Sequence, residues 1–151
     1  MLSNRTDISR FIGGMDQYMA KVPPRIRGAI GKTCLDIMDD SLNKEPKPPI
    51  RSGDLRGSAA VVVSGGPEIQ QGSGGHINPP SREGMPRFSG RVSFNTSYAE
   101  RLETRDDWKA VPKSYAPGEE SKVGAHWLSS KIKMFQEFYR QNFARYYRES
   151  A

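Results

Sequence analysis

Few side chains in this sequence could act in acid–base catalysis or bind a metal, and they are widely spaced. The two histidines, His76 and His126, are far apart and neither lies in a metal-ligand spacing. The acidic residues form two groups: Asp36, Asp39 and Asp40, and further along Glu100, Glu103, Asp106 and Asp107. Asp36 and Asp40 stand one helical turn apart among lysines, as ordinary surface ion pairs do. We therefore expect no catalytic residues, no metal site and no cofactor.

The glycine-rich run at residues 72–75 is the other stretch that could do chemistry. Its composition resembles a phosphate-binding loop, but no Gly-Lys-Ser/Thr follows it and no helical pattern begins there. We interpret the run as a flexible linker. A small hydrolase is the weakest of the function classes considered, because the sequence shows no arrangement of nucleophile and base.

Length and composition predict one domain. With 151 residues, of which 35% are apolar, the chain can close one modest core but not two. A single cysteine, Cys34, excludes an internal disulfide and a cysteine-based metal site. No stretch approaches the roughly 20 apolar residues of a membrane span, and the first residues lead into an amphipathic pattern. We expect a soluble protein made in the cytoplasm, with no membrane partner.

The net charge of +6 is concentrated at the two ends of the sequence. Lys and Arg outnumber Asp and Glu by ten to seven in residues 1–60 and by six to two in residues 121–151. This excess leaves open an alternative function, a small basic nucleic-acid-binding protein that uses the last helix. The side chains that such a protein would use are Lys131, Lys133, Arg140, Arg145 and Arg148.

Two helical segments are predicted between about residue 7 and residue 44. In the first, apolar residues recur at spacings of three and four and form one stripe: Ile8, Phe11, Ile12, Met15, Tyr18, Met19 and Val22. Pro23 and Pro24 interrupt this pattern, and Pro24 suits the first turn of the second helix, where no amide donor is needed. The proline-rich segment 45–49 then ends the second helix.

A small antiparallel sheet is predicted from two strands that a long loop joins. The first strand, about 58–64, is a continuous apolar run, so both of its faces should be covered. The second, about 89–96, alternates Val92 and Phe94 with Arg91 and Ser93, as a strand with one wet face does. The loop between them, residues 65–88, holds six glycines and four prolines. We expect it to be flexible in the free protein and to order against a neighbour.

The end of the chain carries the strongest helical pattern. Residues 105–122 are predicted to be irregular or to form a short strand, and a long helix follows at about 124–148. Six aromatic residues occupy more than one face of it: Phe135, Phe138, Tyr139, Phe143, Tyr146 and Tyr147. Some are candidates for a subunit interface, unless all pack on the N-terminal helices of the same chain. The predicted fold is α+β over residues 1–151, a small antiparallel sheet packed by the N-terminal helices and the long C-terminal helix.

Two short motifs flank the predicted strands: one precedes the first strand and the other follows the second. The first, within residues 49–58, contains Ser52, Gly53, Leu55, Arg56 and Ser58; the second, within residues 95–103, contains Tyr98, Ala99, Leu102 and Glu103. A helix, an (S/T)-G-x-L-R-x-S turn into a strand, a second strand ending in Tyr-Ala-x-x-Leu-Glu and a terminal helix together resemble the head-to-tail connector and tail-completion proteins of long-tailed bacteriophages. The resemblance covers the order of elements over nearly the whole chain. Thr104 and Arg105 stand where the family has a glycine after the glutamate, and the loop 65–88 is longer than the family's hairpin.

The resemblance implies a structural virion protein without an active site. Such a neck, tail-completion or tail-terminator protein forms a homo-oligomeric ring, often a hexamer, between the head connector and the tail tube. Its implied partners are further copies of itself, a head-completion or connector protein on one side and the tail tube or tail terminator on the other. Double-stranded DNA would pass non-specifically through the channel. The implied localisation is the virion, after synthesis in the host cytoplasm.

Overall fold

The computed structural model describes residues 23–50, 53–72, 77–109, 115 and 117–150. The helix predicted at residues 7–22 lies outside these ranges. Helix α1 (Pro23–Asn43) opens the described chain, with Pro24 in its first turn as predicted. It ends ahead of the proline-rich segment, because prolines lack the amide donor that a further helical turn needs.

The sheet has three antiparallel strands in the spatial order β2-β1-β3. A single helical turn, α2 (Asp54–Gly57), leads into the central strand β1 (Ala59–Val63), and β2 (Glu68–Gln70) and β3 (Gly90–Phe94) pair with its two edges. All five residues of β1 are buried, as the continuous apolar run predicts for a covered strand. These strands and the surrounding helices confirm the α+β class.

The segment 65–88 departs from the prediction of a structureless loop, because it contains β2. Ile69 of β2 faces Val61 of β1, so the chain turns back directly after β1. The predicted antiparallel pairing of the two longer strands is confirmed, with Ala59 opposite Phe94 and Val63 opposite Gly90. A strand of three residues that carries one apolar side chain is too short to produce a visible alternation.

The predicted long C-terminal helix is two helices, α4 (Ser129–Met134) and α5 (Gln136–Glu149). His126 has a φ of 61°, which a helix cannot accommodate, so helical structure begins later than the predicted residue 124. Phe135 has φ −114° and ψ 21°, outside the helical region, and separates α4 from α5. Hydrophobic periodicity does not detect this break, because the apolar positions stay in phase across it.

Between β3 and α4 the chain is helical or irregular where it is described. Helix α3 (Ala99–Thr104) follows β3, and a short 3₁₀ turn spans Glu120–Lys122. The prediction for 105–122 allows irregular structure or a short strand. The described residues of this segment contain no strand. A single parallel bridge joins Lys47 to Val123, just beyond that segment.

Helix α1 holds the core together, because it packs against β1 on one side and against α5 on another. Its side chains Cys34, Met38 and Leu42 form one buried cluster with the odd-numbered residues of β1. Each fully buried side chain of valine size stabilises the fold by roughly 1.5–3 kcal/mol. None of the described helices combines the length and the apolar character that crossing a membrane requires.

Candidate functional site at the motif junction and the aromatic helix

The first motif is a tight turn that leads from α1 into the sheet. Gly53 has a φ of 84°, a left-handed conformation that glycine adopts without steric cost, and the single turn α2 follows it. Leu55 is buried, and the Arg56 guanidinium donates to the backbone carbonyl of Leu42 near the end of α1. The motif therefore fixes the end of α1 relative to the start of β1. Ser52 lies outside the described residues.

Ser58 is the residue at which the two motifs meet. Its side chain is fully buried, and its Oγ donates to the Leu55 carbonyl at 2.6 Å. The same Oγ accepts a hydrogen bond from the backbone N–H of Asn95 at 2.9 Å, and Asn95 Nδ2 donates to the Ser58 carbonyl at 3.0 Å. Because an unpaired buried polar group costs about 1–3 kcal/mol, these bonds specify how the motifs join.

The second motif packs against the first around the indole ring of Trp127. One buried cluster consists of Leu55, Ala99 and Trp127, with Tyr98 and Leu102 packed against it. Trp127 is fully buried, and its ring meets that of Phe94 edge to face with 5.7 Å between centroids. The sequence predicts the motif residues but misses Trp127, whose only signal is a large aromatic side chain at the start of the helical pattern.

Glu103, the last residue of the second motif, caps α4 from a different helix. Its carboxylate accepts hydrogen bonds from the backbone N–H groups of Leu128 and Ser129, at 3.2 and 3.0 Å, and from the Ser129 hydroxyl at 2.6 Å. The first amides of a helix lack partners within the helix, and a negative charge there is favourable for the helix dipole. The motif glutamate therefore positions the start of the C-terminal helices.

Ser129, His126 and Asp106 form a row beside Glu103 that the sequence spacing does not reveal. His126 Nε2 lies 3.0 Å from Asp106 Oδ1, and His126 Nδ1 lies 3.5 Å from Ser129 Oγ. A hydrolytic triad needs the serine hydroxyl to donate to the imidazole. In this structure the Ser129 hydroxyl donates to Glu103, and the Asp106 side chain is 81% exposed. The row extends the helix cap at the surface and does not activate a nucleophile.

The acidic group on α1 bonds to tyrosines and does not form a metal centre. Tyr139 is buried and donates to Asp40 Oδ2 at 2.7 Å, and Tyr146 donates to Asp36 Oδ2 at 2.6 Å. Burial raises the pKa of Tyr139, and the hydrogen bond to Asp36 raises the pKa of Tyr146. Within the described ranges, no group of three or more His, Cys, Asp or Glu side chains could hold a metal ion. His76 lies outside those ranges.

Two more of the predicted interface aromatics, Tyr147 and Phe143, have contacts within the chain. The Arg25 guanidinium lies 4.0 Å from the centroid of the Tyr147 ring and donates to the Tyr147 carbonyl. Phe143 stacks on Tyr147 with 6.5 Å between centroids. The start of α1 is thereby fastened to the end of α5. Tyr147, Tyr139 and Tyr146 thus join the two helices of one chain, and Phe143 supports Tyr147.

Phe138 is more exposed than these residues, whereas its neighbour Phe135 is half-buried as Phe143 and Tyr147 are. Lys44 Nζ is 4.6 Å from the Phe135 ring centroid and 5.8 Å from that of Phe138. Phe138 is 49% exposed, and on the same two helices Ile132 is 49% and Met134 58% exposed. We call Ile132, Met134 and Phe138 the apolar patch. Because these exposed apolar side chains all lie within residues 132–138, this stretch is a candidate contact surface.

An apolar groove of about 430 Å³ lies between α1 and the α4–α5 pair. Ile30, Cys34 and Ile37 line it from α1, and Ile132 and Phe143 line it from the opposite side. Ile132 belongs both to the groove and to the apolar patch. A second, smaller cavity of about 230 Å³ lies beside the motif junction, between β3 and α3.

The basic side chains of α4 and α5 differ in their availability to a nucleic acid. Lys131 is fully buried, and its Nζ donates to the carbonyls of Pro46 and Trp127 at 2.8 and 2.9 Å. Arg140 lies 3.8 Å from a Glu137 carboxylate oxygen, in an exposed pair. The nucleic-acid-binding alternative therefore loses Lys131 as a phosphate contact.

A comparison of the chain with protein-family models, with curated proteins and with solved structures finds no match. The contacts between the two motifs and the surface of α4 and α5 are therefore the basis for a proposed function.

Proposed function

We propose that this protein is a structural component of the neck of a long-tailed bacteriophage virion. It forms a ring, a hexamer by analogy with the family it resembles, that joins the DNA-filled head or its connector to the tail tube and lets DNA pass. One observation carries the proposal: the two motifs of the resemblance converge at Ser58 and Asn95. The motif residues thus form a structural junction, which suits a protein whose role is assembly.

The surface of α4 and α5 supports assembly into a ring. A ring closes when each subunit presents two different patches that fit each other and the rotation per subunit divides a full turn. The apolar patch is a candidate for one of the two surfaces, because its side chains stay about half exposed in the single chain. Phe135 and Phe138 remain the interface candidates among the six aromatics, whereas Tyr139 is occupied within the chain. Assembly would also stabilise a small domain by mass action.

The distribution of charge suits a channel through which DNA moves without being held. Strong non-specific binding needs several free Lys and Arg side chains that displace counterions from phosphates. On α5, Arg140 and Arg145 lie near the carboxylates of Glu137 and Glu149, at 3.8 and 3.9 Å, and Lys131 of α4 is buried. Double-stranded DNA would then be a passing partner, with connector and tail proteins as the stable partners above and below the ring.

The role of the apolar patch in assembly can be tested with two matched substitutions on α5. Phe138→Asp places a charge in the apolar patch, and Gln141→Asp places the same charge at an exposed position of the same helix. Sedimentation velocity of both variants and of the natural chain measures assembly, and thermal unfolding monitors the fold. We expect Phe138→Asp to remove the ring and Gln141→Asp to retain it, with both variants folded. A folded Phe138→Asp that assembles as the natural chain does would contradict this interface.

A further inference from the structure

Strand β3 lies at one edge of the sheet, because the spatial order of the strands is β2-β1-β3. In an antiparallel pair, alternate residues of a strand bond to its neighbour, and the residues between them turn their N–H and C=O groups away. The Ser64 N–H donates to the Ser89 carbonyl at 2.9 Å, and the Asn95 N–H donates to the Ser58 carbonyl at 3.3 Å. Counted from these two bonds, the odd-numbered residues of β3 bond to β1 and the even-numbered residues face the open edge.

The groups that face the open edge belong to Gly90, Val92 and Phe94. Among the residues that the structure describes, the N–H and C=O groups of Val92 and Phe94 form no backbone bond outside the sheet. Helix α1 packs on a face of β3, where these two side chains join its buried cluster, and does not pair with the edge. An unpaired strand edge is a template for a further strand, because an extended backbone presents matching donors and acceptors.

The smaller cavity, of about 230 Å³, adjoins this edge. Val92 and Ser93 both line it, and successive side chains of a strand point to opposite faces of the sheet. A cavity that both residues reach therefore lies beside the strand. Phe94, Trp127 and Leu128 contribute apolar lining. Pockets for drug-sized ligands measure about 300–1,000 Å³, so this cavity suits one apolar side chain of a bound segment.

Two polar atoms of the lining residues are buried and lack a hydrogen-bond partner among the described residues: Trp127 Nε1 and Ser93 Oγ. The Trp127 side chain is fully buried. Buried polar groups in native structures are nearly always paired. A bound segment that brings backbone carbonyls and amides to the cavity would supply the kind of partner that both atoms lack.

The cavity is acidic on the side of α3, in a chain whose net charge is +6. Glu100 and Glu103 line it there. Glu103 caps α4, whereas Glu100 is exposed and, within the described part of the chain, its carboxylate has no ion-pair partner. A strand that brought Lys or Arg to this side would gain a charge pair. A second copy bound through the same edge would bring the same acidic residues, and Arg91, the basic residue of β3, already bonds to the carbonyls of Ser81 and Glu83.

We propose that the open edge of β3 and its cavity bind an extended segment of a partner protein. The segment adds a further strand to the sheet beside Val92 and Phe94, inserts one apolar side chain into the cavity, and places Lys or Arg next to Glu100. This inference is independent of the proposed role in a virion neck, because a chain that forms no ring would bind such a segment equally well.

A short synthetic peptide tests the edge directly. The probe is an acetylated and amidated peptide in which Lys and Val alternate, and the matched control replaces each Lys by Glu. Amide hydrogen exchange of the full chain is followed by NMR. At a Lys peptide concentration about ten times its Kd, exchange at Val92 and Phe94 should slow about tenfold, whereas Arg91 and Ser93, already bonded to β1, should change less than about twofold. The Glu peptide should bind about tenfold more weakly.

The same experiment can overturn the proposal in several ways. Unchanged exchange at Val92 and Phe94 with the Lys peptide at millimolar concentration would do so, as would equal affinity for the two peptides. Protection of Gln70, whose amide faces the outer edge of β2, in place of β3 would place the peptide on the wrong strand. Protection of β3 that grows with protein concentration without peptide would show that a second copy occupies the edge.

Two pairs of variants locate the groups that bind the segment. Val92→Pro removes an N–H that faces the open edge, and Val92→Ala also loses packing but keeps that N–H. Glu100→Lys reverses a charge at the cavity, and Glu120→Lys reverses one on an exposed turn elsewhere. We expect Val92→Pro and Glu100→Lys to weaken binding of the Lys peptide about tenfold and the two controls to retain it within about twofold. If Val92→Pro fails to fold, the exposed Glu100 still decides: equal affinity of Glu100→Lys and Glu120→Lys would contradict the proposal.

Discussion

Asn95 donates two hydrogen bonds to Ser58, one from its backbone N–H to Oγ at 2.9 Å and one from its side-chain Nδ2 to the carbonyl at 3.0 Å. Ser58 ends the first motif and Asn95 begins the second, and the two are 37 positions apart in the chain. These bonds hold the residue that precedes β1 next to the residue that follows β3. The arrangement explains why both motifs place small polar residues at the ends of apolar strands.

Replacing Ser58 by Ala should destabilise the fold, because it removes the hydroxyl that bonds to Leu55 and Asn95. The Asn95 N–H and the Leu55 carbonyl keep only longer backbone bonds to Ser58, at 3.3 and 3.2 Å, so the free energy of unfolding should fall by about 0.5–1.5 kcal/mol. Urea unfolding followed by tryptophan fluorescence measures this change. Ser150→Ala removes an exposed hydroxyl that bonds to Tyr146, and it should change stability by less than about 0.5 kcal/mol. Equal effects in the two variants would refute the role of Ser58.

Replacing Asp36 by Ala should weaken the packing of α1 on α5. Asp36 Oδ2 accepts hydrogen bonds from Tyr146 at 2.6 Å and from Asn142 at 3.0 Å, and Asn142 is buried. We expect a loss of about 1–3 kcal/mol, since both donors lose their partner. Asp39→Ala is the matched control, because Asp39 is exposed on the same helix and gains the same helix propensity. If chemical denaturation gives the same loss for both, the Asp36 contacts do not stabilise the fold.

Lys131 should make the stability of the protein depend on pH. Burial lowers the pKa of Lys131 from 10.5 to about 8, so between these values the folded chain holds fewer protons than the unfolded chain. Stability therefore rises with pH across this window, by up to about 1.4 kcal/mol per pH unit. The cost of burying the charged lysine is fully present below pH 8. Cys34 opposes this trend, because burial raises its pKa from 9.0 to about 11.

The contribution of Lys131 is separated from that of Cys34 by comparing variants. The natural chain, Lys131→Met and Lys133→Met are unfolded with urea at several pH values between 7 and 10.5. Relative to Lys131→Met, the natural chain should gain stability as the pH rises, and Lys133→Met, which changes an exposed lysine, should follow the natural chain. Parallel curves for all three proteins would show that Lys131 keeps its ordinary pKa.

Gly90 should not tolerate a side chain. A Cβ at this position would lie 2.5 Å from Cys34 Sγ and 2.6 Å from Ile30 Cγ2. Gly90→Ala should therefore push α1 away from β3 and reduce stability by about 1–3 kcal/mol. Gly28→Ala, where a Cβ meets nothing within 4 Å, should instead stabilise α1 by about 0.5–1 kcal/mol. Thermal unfolding of both variants measures the two changes in stability. If both variants were stabilised, or both destabilised, the close contact at Gly90 would be contradicted.

The sequence predicts those features that depend on local pattern. The continuous run from Ala59 to Val63 identifies a covered strand, and the prolines after α1 identify its end. The break at Phe135 escapes prediction, because it changes one pair of backbone angles and leaves the apolar spacing intact. β2 is not predicted either, because its pairing with β1 defines it as a strand and its own side chains carry no strand pattern.

At the candidate site, too, local pattern predicts the residues but not their contacts. The motifs single out Ser58 and Glu103, but the groups that bond to them come from distant parts of the chain. That Glu103 caps α4 cannot be predicted from spacing, since it requires the relative placement of two helices. The tyrosines of α5 show the same limit: their excess leaves an interface and packing within the chain both open, and only the structure shows that Tyr139 and Tyr146 bond to carboxylates of α1.

The most direct test of the proposed function is the mass of the purified natural chain, measured by native mass spectrometry at several concentrations, with and without double-stranded DNA. Large species are then imaged by electron microscopy. The account predicts closed rings of one subunit number, formed alone or on connectors or tail tubes, with little retention of DNA. A protein that stays monomeric under all of these conditions and binds DNA with a steep salt dependence would contradict it and favour a nucleic-acid-binding function.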